Sequence, residues 1–395
     1  MTMITHRLSS FWTILAIALM MPFVVFAQDD DNGKGDTGVV QRLFSIIPDT
    51  EINRMEITLT DLPAMFETRS GAPMPTSFTE IIEAGDDLWL AVLRGIANTP
   101  SWMMNSAMTE SPSDFSGFDP FNRFAATGMP PERVELFTDV DASAVIAAHV
   151  ARDYTVIERG EVTLLCPPDG CDSGTLISPA DRNFDNVFGG DLGRSQPVIV
   201  WEDVVISSMN EDAIEAVIAT INGEAPAMAD DAIHRFVADI LDNGDGQLRQ
   251  FTIFSVDAII EQLSLSEGNE TFPPYQFFAF DDRATPESEI MRVILIYDSA
   301  DSAARAADVL PARLDLRTAN ERTHREILAG EDGIVAIDII EDKADGLSAV
   351  VVSFTRPQPT ETPINGRITP SAEGHVRMFT AIMMWRLEWL IPGEE

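Results

Sequence analysis

The residues able to do chemistry in this chain occur in patterns that fall short of a catalytic set. Asp36-Thr37-Gly38 and Asp172-Ser173-Gly174, the latter followed by Thr175, spell twice the tripeptide of a carboxylate dyad that shares one proton and activates water. Such a carboxylate sits at the end of an apolar strand. Asp36 instead lies behind Gly33-Lys34-Gly35 in an acidic stretch, and Asp172 follows Cys171 in a turn. Asn243-Gly244-Asp245-Gly246-Gln247-Leu248 places oxygen ligands at alternate positions before a glycine, as the middle of a calcium loop does. Leu241 stands at the first ligand position and Thr252 at the twelfth, so the segment is expected to be a helix-to-strand turn, with calcium-stabilised structure as the alternative.

Beyond the N-terminal segment that carries His6, four histidines, His149, His234, His324 and His375, are scattered with no metal-ligand spacing. His149 and His234 fall in predicted helices, at surface or half-buried positions. No nucleophile-elbow motif is present, and no phosphate-cradling glycine loop follows a strand. The candidate ligand loop is 186–194, where Gly189, Gly190 and Arg194 can shape a small anion or peptide site. No catalytic, cofactor-binding or metal-ligating residue is assigned.

The two cysteines, Cys166 and Cys171, flank Pro167-Pro168-Asp169-Gly170. Four intervening residues are too many for a redox pair, and further zinc ligands are not nearby, so a small structural disulfide is expected.

The 64 acidic residues outweigh 26 basic ones, of which only Lys34 and Lys343 are lysine, for a net charge of −38. This excludes nucleic acid, whose binding needs clustered cations to release counterions, and disfavours an anionic membrane surface. Such charge keeps a secreted protein soluble and suits a salty habitat.

The elements that must position any site follow from apolar periodicity. Residues 56–60 alternate as a strand, 134–137 form a strand and 142–151 a helix, and 154–157 with 162–165 form a hairpin. Residues 197–207 read as one strand, and Asn210 caps a helix over 211–221. A second series runs helix 230–241, strand 248–254, short helix 256–263, strand 275–280 facing 289–297, helix 302–314, and the pair 334–340 with 347–354. Placing 134–150 beside 293–309 aligns Asp139 with Asp298, Ser143 with Ser302 and Ala147-Ala148 with Ala306-Ala307, the mark of an internal duplication. The expected class is α+β: antiparallel sheets with helices packed on one face, in two related halves. The expected organisation is a signal peptide at 1–27, an acidic flexible leader at 28–38, α+β halves at 39–225 and 226–356, a proline-rich loop at 357–370 and a C-terminal helix, 371–395, docked on the core.

Address comes from the N-terminus. Arg7 precedes an uncharged stretch over 11–26, and Val25 and Ala27 supply the small residues of a signal-peptidase site. The mature chain is expected to be secreted or extracytoplasmic, in the periplasm or on the cell surface, with no stable membrane span. In the final helix Arg377, Arg386 and Glu388 disfavour membrane crossing.

The signal peptide, the opening at 43–62 with Leu43-Phe44-Ser45-Ile46-Ile47-Pro48, the segment 201–229 with its Asn222-Gly223-Glu224-Ala225-Pro226 turn, and the strand-helix step at 294–310 together resemble secreted bacterial proteins of unknown function built from duplicated α+β units. That resemblance implies an envelope or extracellular location and transfers no site. The functional expectation is a non-enzymatic extracytoplasmic protein that binds an envelope protein or a small ligand in a cleft between its halves. The alternative is a secreted hydrolase built from scattered carboxylates.

Overall fold

Strands rich in Val, Ile and Phe, several of them joined by short turns, dominate the computed structural model. It describes residues 38–70, 122–168, 196–256, 272–318, 321–330, 332–358, 373–383 and 387–391, with the isolated positions 114, 116–118, 170, 171 and 188. The signal-peptide segment, residues 28–37 of the leader, the loop residues Gly189, Gly190 and Arg194, the short helix expected after Val256 and all but two residues of the proline-rich loop lie outside the described residues.

Among the described residues twelve antiparallel strands form one sheet. In chain order they are β1 (Glu56–Asp61), β2 (Arg123–Thr127), β3 (Val134–Phe137), β4 (Thr155–Arg159), β5 (Val162–Cys166), β6 (Val198–Trp201), β7 (Val204–Ser208), β8 (Gln247–Ser255), β9 (Phe277–Ala284), β10 (Ser288–Tyr297), β11 (Ile334–Asp342) and β12 (Leu347–Pro357). Their order across the sheet is β11-β12-β10-β9-β8-β1-β2-β3-β7-β6-β5-β4. Among the described residues the α-helices are α1 (Val39–Phe44), α2 (Glu51–Met55), α3 (Leu62–Ser70), α4 (Ala142–Val150), α5 (Glu211–Ile221), α6 (Ala232–Asp242), α7 (Ala300–Leu314), α8 (His324–Ala329) and α9 (Glu373–Met383). The α+β class is therefore observed, with a single sheet running through both stretches of chain.

The two stretches run in the same order. A three-strand meander, β1-β2-β3 or β8-β9-β10, leads into a helix, α4 or α7. Hairpin strands then return so that the last of them, β7 or β12, pairs with the meander's third strand. The first stretch has one hairpin more. The meanders meet at β1 and β8, which pair antiparallel with Thr58 opposite Thr252.

Alternation along the strands divides the core. One face presents Ile57, Leu59, Leu136, Ile206, Phe251, Ile253, Ala279 and Ile294 to α1, α5 and α6 in one continuous apolar cluster. The other face carries two clusters: Phe124, Phe137 and Val205 under α4, and Phe278, Phe280, Val293, Leu295 and Val352 under α7, α8 and α9. Helices thus lie over both faces rather than one, because central strands such as β9 are buried on both sides. Between the two clusters the strip is polar: Thr58, Thr60, Gln250 and Thr252, each at most 2% exposed.

Local chemistry sets the helix starts. Asn210 accepts from the amides of Asp212 and Ala213, as its position predicts, while Asp141, Asp231 and Ser299 cap α4, α6 and α7. Asp242, at the end of α6, accepts the amides of Val40 and Gln41 at 2.9 and 3.0 Å and so ties α1 to α6. The expected strand over 197–207 is a hairpin, β6 and β7, turning at Glu202-Asp203. Glu202 adopts φ +50°, a left-handed conformation that a residue-type pattern does not reveal. The disulfide Cys166–Cys171 is present, with a Cα–Cα distance of 4.7 Å at the end of β5. The expected C-terminal helix does not run unbroken to the end: α9 is described over Glu373–Met383, and Glu388–Leu390 form a 3₁₀ turn that buries Trp389 and Leu390.

Candidate functional site

The densest chemistry lies in the middle of the sheet, where β9 continues its apolar run into Asp281-Asp282-Arg283. Every residue of β9 is buried, so these three charges have no wet side to turn to and must find partners inside. Alternation sends Asp281 and Arg283 to one face and Asp282 to the other.

On the first face Asp281 stands opposite Arg292 of β10 and accepts from its Nε at 3.0 Å and from Nη2. Arg283 Nη1 adds a contact to the same carboxylate at 3.2 Å. The rest of the Arg283 guanidinium binds backbone: Leu241 O at 2.8 Å, Gly244 O at 2.7 Å, Asp245 O at 2.9 Å and Gly246 O at 3.0 Å, while Arg292 Nη2 reaches Ile240 O at 3.1 Å. The turn over 243–248 is thus wrapped around an internal cation. These carbonyls end α6, where the helix dipole favours positive charge. Gly246, at φ +78° and with Ala284 O only 2.7 Å from where a Cβ would stand, permits the close approach. Because the Arg283 guanidinium already sits against this turn and its charge repels a second cation there, the melting temperature is expected to be the same with excess calcium and with excess chelator. A calorimetric scan under both conditions checks this.

On the second face Arg249 is fully buried between Asp282 and Glu289, with Nη1 3.2 Å from Glu289 Oε1 and Nη2 2.5 Å from Asp282 Oδ1. Gln250 Nε2 donates to Asp282 Oδ2 at 3.3 Å. Burial acts to lower the Arg249 pKa, and the two carboxylates outweigh it and raise it. His375 of α9 packs against Phe280, ring centroids 4.5 Å apart, with Nε2 3.5 Å from Thr252 Oγ1 and with Nδ1 unpartnered among the described residues. Burial lowers its pKa from 6.5 to about 4, against the pull of Asp282 and Asp281.

His149 and His234, expected at surface or half-buried positions, are 0% and 3% exposed. His149 Nδ1 meets Val145 O at 2.8 Å within α4, and His234 Nδ1 meets the helix-capping carboxylate of Asp231 at 2.8 Å. Their helices bury the faces that carry them. Burial lowers the pKa of each, and of His324.

A histidine with a depressed pKa binds its proton in the unfolded chain before it does in the fold. Stability is complete above pH 6.5 and is lost as pH falls from there towards 4. For His375 alone the loss between pH 7.5 and 5 is expected to be about 2 kcal/mol. Urea unfolding at both pH values should show a smaller loss for His375→Gln than for the unaltered protein; equal losses would show that His375 does not carry the effect.

Among the described residues, Asp282 and Glu289 are buried carboxylates that share one cation. Both are buried on Arg249 and neither opens to solvent. No group of three or more His, Cys, Asp or Glu among the described residues is placed to hold a metal, and no helix among them is long and apolar enough to cross a membrane. Sequence reasoning missed the charged centre because it ended the strand at Phe280. The available signal was the hairpin turn after Ala284, from which counting back places Asp281 opposite Arg292.

The exposed groups tell a different story. Of the large apolar side chains exposed among the described residues, Ile334, Ile339 and Ile340 lie on β11 and Val156 and Ile157 on β4, the two strands that end the sheet. Ile334 is 68% exposed. Among the described strands each edge strand has a neighbour on one side only, which leaves a row of backbone donors and acceptors unpaired within the sheet.

No family model and no curated protein matches the chain. Among solved structures, crystal form III of TP0453 shares 8% identity at a TM-score of 0.32, covering 80% of this chain and 94% of that one. Crystal form I of TP0453 shares 8% identity at a TM-score of 0.34, covering 87% and 96%.

Proposed function

We propose that this is a non-catalytic extracytoplasmic protein that binds another protein along an open edge of its sheet. The observation that carries the reading is the contrast between centre and rim. Imidazoles and the carboxylates of the central strands are held inside by structural partners, whereas the exposed Ile side chains among the described residues, Ile157, Ile334, Ile339 and Ile340, all lie on the two edge strands. An edge strand is a ready template for an added strand, and exposed β-branched side chains along it supply apolar contacts for a paired segment. Export rests on residues 1–27, and the Cys166–Cys171 disulfide suits an oxidising compartment. The matched strand order of the two stretches supports an origin by duplication.

Native mass spectrometry of the protein purified from its host's envelope or medium, set beside its denatured mass, tests the reading. The expected result is a native species heavier by the mass of another polypeptide. A native mass equal to the denatured one at moderate ionic strength would refute it.

A further inference from the structure

The two edges differ, and the difference specifies a partner. β4 offers five residues, and its Arg159 is tied to Glu215 at 2.6 Å. β11 offers nine, anchored on its inner side by β12 along the whole length and by Val335 and Ile337, which pack partly buried on the apolar cluster under α7. Ile334, Asp338, Ile340 and Asp342 alternate onto one face of β11, and Ile339 and Glu341 onto the other. The strand therefore carries three carboxylates and no base, in a chain of net charge −38.

From this we infer that β11 accepts, antiparallel, an extended segment of a basic partner protein. The segment sets Lys or Arg opposite Asp338, Glu341 and Asp342 and β-branched apolar residues opposite Ile334, Ile339 and Ile340. Backbone pairing supplies the affinity and the charge pattern supplies the choice of partner. A second copy of this chain is the wrong occupant. A β11 strand centred on its own image puts Asp338 against Asp338, and like charges directly opposite destabilise a ladder, on top of the repulsion between two strongly acidic bodies. The inference rests on the edge-binding reading and names its partner.

The test uses the whole mature protein and a fluorescent peptide, Lys-Lys-Val-Val-Lys-Thr-Thr-Thr-Val, written to face residues 342 down to 334. Anisotropy should report saturable binding. It should weaken roughly tenfold with Asp338→Lys, a change from attraction to repulsion at one cross-strand pair, and stay unchanged with Glu211→Lys, an equal change of net charge at an exposed site on α5. The same peptide N-methylated at alternate residues keeps its charge and loses its edge donors, and should not bind. Equal binding of the methylated peptide, or equal weakening by Glu211→Lys, would overturn the inference in favour of general attraction to an acidic surface. Sedimentation equilibrium showing a dimer abolished by Ile340→Lys would overturn it in favour of a second copy. Failure of the peptide beside a partner found by native mass spectrometry defeats only the partner assignment, whereas absence of any partner defeats the edge-binding reading itself.

Discussion

Asp281→Ala is expected to cost about 3–5 kcal/mol of stability, enough to leave much of the protein unfolded in the cell. The carboxylate takes the Nε and Nη2 of Arg292 and the Nη1 of Arg283, and it is 0% exposed. Without it two guanidiniums remain in the sheet interior. Arg283 keeps four backbone carbonyls and is the less disturbed; Arg292 keeps only Ile240 O among the bonds described, so most of the loss falls on it. Pairing the change with Arg292→Leu should therefore recover more than pairing it with Arg283→Leu, whose guanidinium also closes α6. Urea unfolding of the three variants measures the order. A loss below about 1 kcal/mol for Asp281→Ala, the worth of an exposed pair, would show that water reaches this carboxylate.

Arg249→Met is the second large effect, also about 3–5 kcal/mol at neutral pH, and it carries a signature in pH. Removing the cation leaves Asp282 and Glu289 buried with no positive charge between them. Burial of a carboxylate without a cation favours its neutral form, so the loss is relieved as pH falls. The sign is opposite to that of His375, which makes the two effects separable in a pH series. Combining Arg249→Met with Asp282→Leu and Glu289→Leu replaces the ionic group by apolar ones and should recover most of the stability, because a buried ion pair and a packed apolar substitute are often of similar worth. If the triple variant is no better than Arg249→Met, the ionic group contributes more than mutual compensation.

Much of the architecture was legible because most strands obey one of two simple patterns. Alternation marks β1, and the apolar runs 293–297 and 349–352 mark β10 and β12, whose residues there are buried on both faces. Asn210 announced α5 through cap chemistry that is local in sequence. The charged centre was not legible in the same way. Asp281-Asp282-Arg283 looks like the polar end of a strand, and only the sheet position of β9, buried between β8 and β10, turns those residues inward. His375 was equally silent, since its neighbours Thr252 and Phe280 come from strands more than ninety residues away, as the numbering itself shows. The turn at 243–248 was recognised as a turn, but its occupant, Arg283, lies beyond any local window. The edge strands were predicted as strands, whereas their place at the rim is a property of strand order, which nothing in the residue pattern of β11 or β4 encodes.

The ladder between β1 and β8 joins residues 56–60 to residues 250–254, so the middle of the sheet closes only after the whole first stretch has been made. Until β8 has been made, β1 has β2 on one side and nothing on the other. Pairing over so long a stretch of chain is slow, because the entropy of closing the intervening loop is lost before any contact repays it. A chain ending ahead of β8 would present Ile57 and Leu59 on a raw central edge, the kind of surface chaperones hold and proteases find. The sheet's midline is thereby a checkpoint of completeness: only a chain that has reached its second meander can hide its first.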